Sequence, residues 1–125
     1  ELMQLMTQNR IHIVDSNILI LGVTFKENCP DLRNTRVVDI AEHLSGCNAN
    51  IDIYDPVANP EDIKSLGLNR VTTPKNNHYD AILIAVAHEN FVSDGIEKIK
   101  SWGKDKSVVF DLKYLFPASE TDDRL

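Results

Sequence analysis

From Gly22 to Arg36 the chain reads GVTFKENCPDLRNTR, a stretch that gathers three cations, Lys26, Arg33 and Arg36, with the donor-rich Asn34 beside them. It follows an apolar strand and leads into a helix. In open α/β sheets ligands collect there, beyond the carboxyl ends of the strands and in front of unpaired helix N–H groups. Phe25 adds a planar ring, Lys26 a point charge and Arg33 a fork of donors, which together suit a phosphorylated ligand that carries a ring. Lys113, in Phe110-Asp-Leu-Lys, would aim another cation at the same edge. A second reading stays open on the residues alone: such cations are commonly solvated or paired, here with Glu27 or Asp31, and Phe25 reads as a core side chain. Asp31 and Asn34 are the candidate caps of the next helix, and Pro30 stiffens the approach.

Other chemistry is poorly supplied. The loop has one glycine, Gly22, and no G-x-G-x-x-G, so the close backbone approach that a dinucleotide pyrophosphate needs is missing. Asp55 ends a strand where such folds keep an acidic ribose ligand, but the missing glycines argue against that role. Cys29 lies on the basic loop with no histidine near it in sequence to serve as base, and reads as a bystander thiol. His88, in Ala-Val-Ala-His-Glu-Asn-Phe, either borders the ligand edge or caps the next helix. The two cysteines form no C-x-x-C pair and no His/Cys cluster has zinc spacing, so neither a disulfide scaffold nor a metal site is expected. No catalytic residue is assigned.

The elements that must position these residues follow from periodicity. Asn17 to Gly22 and Ala81 to Ala87 are short continuous apolar runs, as in strands covered on both faces. Val37, Ile40, Ala41 and Leu44 recur at helical spacing from about Asn34 to Gly46. Asn50 to Tyr54 alternates as a shorter strand that Asp55-Pro56 stops. A short helix is expected over Pro60 to Leu66, a short strand at Val71-Thr-Thr, one helix from Phe91 to Lys100, and a last strand at Ser107 to Phe110. Leu2, Leu5 and Met6 make Glu1 to Gln8 read as the last turns of a helix. Strands alternating with helices imply an α/β fold: a doubly wound, mostly parallel Rossmann-like sheet with helices on both faces.

The chain of 125 residues, 42% hydrophobic, suffices for one core. Its formal charge of −6 disfavours nucleic-acid or anionic-lipid surfaces, so any bound anion must be met locally. No apolar run approaches the roughly 18 residues of a membrane span, and the N-terminus does not read as a signal peptide, so a cytoplasmic setting is expected. The start, without an initiator Met, suggests a piece of a longer protein. Residues 1–14 read as a linker-helix end and lead-in, 15–118 as the binding domain and 119–125 as a flexible tail.

The string LILGVTFKENCPDLRNTRVVDIAEHL, with Tyr54-Asp55-Pro56, Ala-Val-Ala-His-Glu-Asn-Phe and Phe110-Asp-Leu-Lys, resembles the C-terminal domain of the UDP-glucose/GDP-mannose dehydrogenases. Within that family it is most similar to the bacterial branch that oxidises UDP-N-acetylhexosamines for surface polysaccharides. The resemblance spans about residues 1 to 118 and includes G-x-x-F-K-(x)4-D-x-R. It implies an enzyme with an NAD-binding domain, a helical centre supporting a homodimer, and this UDP-sugar-binding domain. The C6 alcohol would be oxidised to a carboxylate through a cysteine that lies in other parts and is not Cys29. By the same resemblance Phe25 and Lys26 meet the UDP-sugar, and Arg33 reaches NAD held by the other domain. Lys113 stands where many members have an arginine that contacts substrate, and lysine cannot reproduce its bidentate fork. The residues alone also admit a stand-alone nucleotide-binding or assembly module without catalysis.

Overall fold

The computed structural model describes residues 2–32 and 35–124. In chain order the elements are α1 (Leu2–Gln8), β1 (Asn17–Leu21), α2 (Val37–Gly46), β2 (Asn50–Tyr54), α3 (Pro60–Ser65), β3 (Tyr79–Ile84), α4 (Glu89–Asp94), α5 (Ile96–Trp102), β4 (Gly103–Asp111) and β5 (Asp123–Arg124). The strands pair in the order β2-β1-β3-β4-β5, and every pairing is parallel. The doubly wound α/β expectation therefore holds.

The unbroken apolar runs are explained by burial on two sides. Ile18, Ile20, Leu83, Val108 and Phe110 pack with α1, α2 and α3. Their neighbours along the strands, Leu19, Leu21, Ile82, Ile84 and Val109, pack with Phe91, Ile99 and Trp102 of α4 and α5. β2 lies on one side of β1 and β3 on the other, so the winding reverses between β1 and β3. A crevice opens at such a reversal, beyond the strands' carboxyl ends.

Several boundaries differ from expectation. Helix α2 begins at Val37, and its first free N–H is taken by Thr35 Oγ1 at 3.2 Å, so Asp31 is not its cap. Asn34, the other candidate, lies outside the described residues. The helix expected from Phe91 to Lys100 is two helices, because Gly95 turns the backbone to φ +84° and its N–H returns to the Phe91 carbonyl at 3.1 Å. The strand expected at Val71-Thr-Thr is an isolated bridge between Ile53 and Arg70. The pairing consists of the Ile53 N–H to the Asn69 carbonyl at 2.8 Å and the Val71 N–H to the Ile53 carbonyl at 2.9 Å. β4 starts at Gly103, before the expected Ser107, because residues 104–107 loop out between two paired stretches. The β5 pairing with Phe110 and Asp111 was not assigned from the sequence.

Candidate functional site at the carboxyl edge of the sheet

A cleft of about 380 Å³ opens at this edge. Thr24, Phe25 and Glu27 reach it from the loop after β1, Ala85 and Val86 from the end of β3, and Leu112 and Lys113 from the end of β4. Arg36, Val37 and Ile40 close it at the start of α2. Two cations, Arg36 and Lys113, thus meet one anion, Glu27, beside the positive end of a helix. That is a local excess of positive charge in a chain of net charge −6.

Phe25 and Lys113, both singled out from the sequence, come together on this cleft although 88 residues separate them (113 − 25). Phe25 is 59% exposed, which overturns its reading as a core residue. Lys26 is exposed on the same loop but is not among the residues lining the cleft. Arg33 lies outside the described residues. Glu27 and the placement of Arg36 were missed; the latter was legible as one of the three cations of the opening stretch. Cys29 is half-buried and free.

Gly22 explains how the two sides of the cleft approach. Its φ is +94°, and a Cβ there would stand 2.5 Å from Val86 Cβ. Only a residue without a side chain lets the β1 loop pass this close to the end of β3. The loop then closes on itself through the Phe25 N–H, which donates to the Asp31 carbonyl at 2.8 Å.

Beneath the loop lies a buried polar cluster of Thr24 (2% exposed), Asp55 (2%) and His88 (0%). Asp55 Oδ2 accepts from the Val23 N–H at 2.8 Å and lies 3.0 Å from His88 Nε2. Its Oδ1 accepts from the Val57 and Ala58 N–H groups at 2.8 and 3.0 Å. Burial pushes the Asp55 carboxyl up, but the hydrogen bonds from His88, Val23 and Ala58 outweigh it and hold the pKa below its ordinary value. With both oxygens engaged, Asp55 is not a ribose ligand. His88 occupies the backbone N-cap position of α4 without a side-chain cap bond. His88 therefore caps α4 by its backbone position, while its ring turns inward to Asp55. Pairing across 33 residues left no local sequence signal.

A larger groove of about 490 Å³ runs between α1 and α2 over Leu83 and Phe110. Its lining is largely aliphatic and includes no lysine or arginine, so it does not suit an anion.

Comparison with known proteins identifies the family to which this domain belongs. Residues 19–118 match the model of the UDP-glucose/GDP-mannose dehydrogenase family, UDP binding domain. The chain is 44% identical, over its whole length, to UDP-N-acetyl-D-glucosamine 6-dehydrogenase of Salmonella typhi and to that of Pseudomonas aeruginosa, covering 30% of each. It is 34% identical to Protein CapL of Staphylococcus aureus, over 88% of this chain and 26% of that protein. The chain thus spans less than a third of the length of these relatives. A solved UDP-D-ManNAc dehydrogenase from Pyrococcus horikoshii shares the fold, with a TM-score of 0.73 at 21% identity over 98% of this chain and 28% of that one. With four-fifths of its residues matched at the UDP-binding module, and with the cleft where the fold expects a ligand, the chain belongs to the UDP-glucose/GDP-mannose dehydrogenase family.

Proposed function

We propose that the chain is the nucleotide-sugar-binding portion of an NAD-dependent UDP-sugar 6-dehydrogenase. The complete enzyme, acting in the cytoplasm as a homodimer, oxidises the sugar C6 alcohol to a carboxylate for surface polysaccharide synthesis, and this portion alone has no turnover. The observation that carries the reading is the cleft at the strand reversal, where the exposed ring of Phe25 stands with Arg36 and Lys113 on a domain matched to a UDP-binding family. Phe25 offers a face on which a uracil stacks. Lys26, Lys113, Arg36 and the start of α2 meet the diphosphate, with Lys113 acting as a point charge.

The described residues do not fit a dinucleotide of their own. The space beside Gly22 is filled by Val86 rather than left as a phosphate cradle, and Asp55 is engaged on both oxygens. NAD, the hydride acceptor when bound, belongs to other parts of the enzyme, with Arg33 as this chain's contact. The test is Lys26→Ala in the complete dehydrogenase. A KM for the UDP-sugar raised about tenfold or more is expected, since a charged hydrogen bond contributes on the order of 1.5–3 kcal/mol. Unchanged kinetics would refute the assignment.

A further inference from the structure

His88 is the one histidine in the buried cluster under the Phe25 loop, and its two ring nitrogens hold that loop at two points. Nδ1 accepts from the backbone N–H of Asn28 at 2.9 Å. A nitrogen that accepts carries no proton, so the neutral ring has its hydrogen on Nε2. Nε2 then donates toward Asp55 Oδ2 at 3.0 Å, with Thr24 Oγ1 at 3.2 Å. The Thr24 hydroxyl hydrogen goes to the Lys26 carbonyl at 2.9 Å, so that hydroxyl accepts from the ring and donates along the loop. Asn28, held at φ +58°, returns the contact: its Oδ1 accepts from the Glu89 N–H at 2.9 Å. The loop is thus pinned at Val23, Thr24 and Asn28, and between these pins it presents Phe25 and Lys26 to solvent.

We propose that His88 is a positioning residue for nucleotide-sugar binding: its Nδ1 lone pair clamps the Asn28 N–H and so fixes the loop that presents Phe25 and Lys26 to the ligand. This rests on the UDP-sugar reading of the cleft. The ring touches no ligand; it acts through the backbone. Removing only the acceptor leaves the part-buried Asn28 N–H without its partner and frees the loop's far end.

The substitutions His88→Asn and His88→Gln separate the two nitrogens, because an asparagine oxygen reaches the place of Nδ1 and a glutamine amide the place of Nε2. Chemical-shift titration with UDP, which registers weak binding, is run on the native chain and both variants, alongside thermal unfolding. His88→Gln is expected to weaken UDP binding about tenfold, because the Asn28 N–H loses its acceptor and the loop its anchor, and His88→Asn no more than about threefold, at similar thermal stability. Equal affinities for His88→Gln and the native chain would overturn the proposal and leave the UDP reading standing. Equal losses in both variants, tracking stability, would overturn it as well. A native chain that does not respond to UDP would overturn the functional reading first and this proposal with it. Should either variant fail to fold, the nitrogen spectrum of the native ring decides: a protonated Nε2 with a bare Nδ1 supports the clamp, and the opposite tautomer sinks it.

Discussion

At the scale of single residues, exposure separates binding from stability. Phe25 buries little, so Phe25→Ala should change stability by no more than about 0.5 kcal/mol while weakening UDP binding several-fold, as calorimetry and urea unfolding on the same samples would register. Asp55 should do the reverse. Its pKa is held low in the folded state, so the stability it contributes is full above the ordinary carboxylate range near about 4 and is lost as pH falls through the lower folded value. Asp55→Asn should cost about 1–3 kcal/mol at neutral pH, because an amide nitrogen cannot accept from Val23 or His88. Urea unfolding between neutral and acid pH should show the variant losing less further stability than the native chain. A parallel fall in both would contradict the linkage.

Elements decide whether those residues meet. Gly22→Ala forces a Cβ into Val86 at a left-handed φ, and should cost about 2–4 kcal/mol from overpacking and backbone strain. Gly95→Ala meets open space but keeps a backbone, φ +84° and ψ 155°, that essentially only glycine adopts, and should cost about 1–3 kcal/mol from strain alone. Denaturant midpoints compare the two. These glycines also mark what the sequence could and could not reveal. β1 and β3 were legible because burial on both faces leaves a continuous apolar run, and α2 because its inward positions recur at three and four residues. The break at Gly95 was hidden because Phe91, Ile96 and Ile99 keep a helical pattern across it. The loop-out at 104–107 has no apolar period to betray it. For the site, the strand-loop-helix placement put Phe25 and Lys113 at one edge. The exposure of Phe25 depends on the loop's closure at Asp31, and the burial of His88 on a partner in another strand's loop; neither is a local property.

For the whole molecule, charge sets the terms on which an anion is bound. The chain carries a net charge of −6, yet Arg36 and Lys113 outnumber Glu27 at the cleft. UDP affinity should therefore fall several-fold as salt rises from about 0.05 M to about 0.5 M, because screening weakens these exposed contacts more than buried ones. The sheet's carboxyl edge also has a rival. Lys104, Lys106 and Arg10 gather near the opposite ends of the strands, where Lys104 is already paired with Asp80 at 3.1 Å. The most direct measurement is a backbone amide map of this chain during titration with UDP. Shifts should concentrate at Thr24 to Glu27, Arg36 to Val37, Ala85 to Val86 and Leu112 to Lys113. Shifts centred on Arg10, Lys104 and Lys106, or none at saturating UDP, would contradict a nucleotide site at the strand reversal.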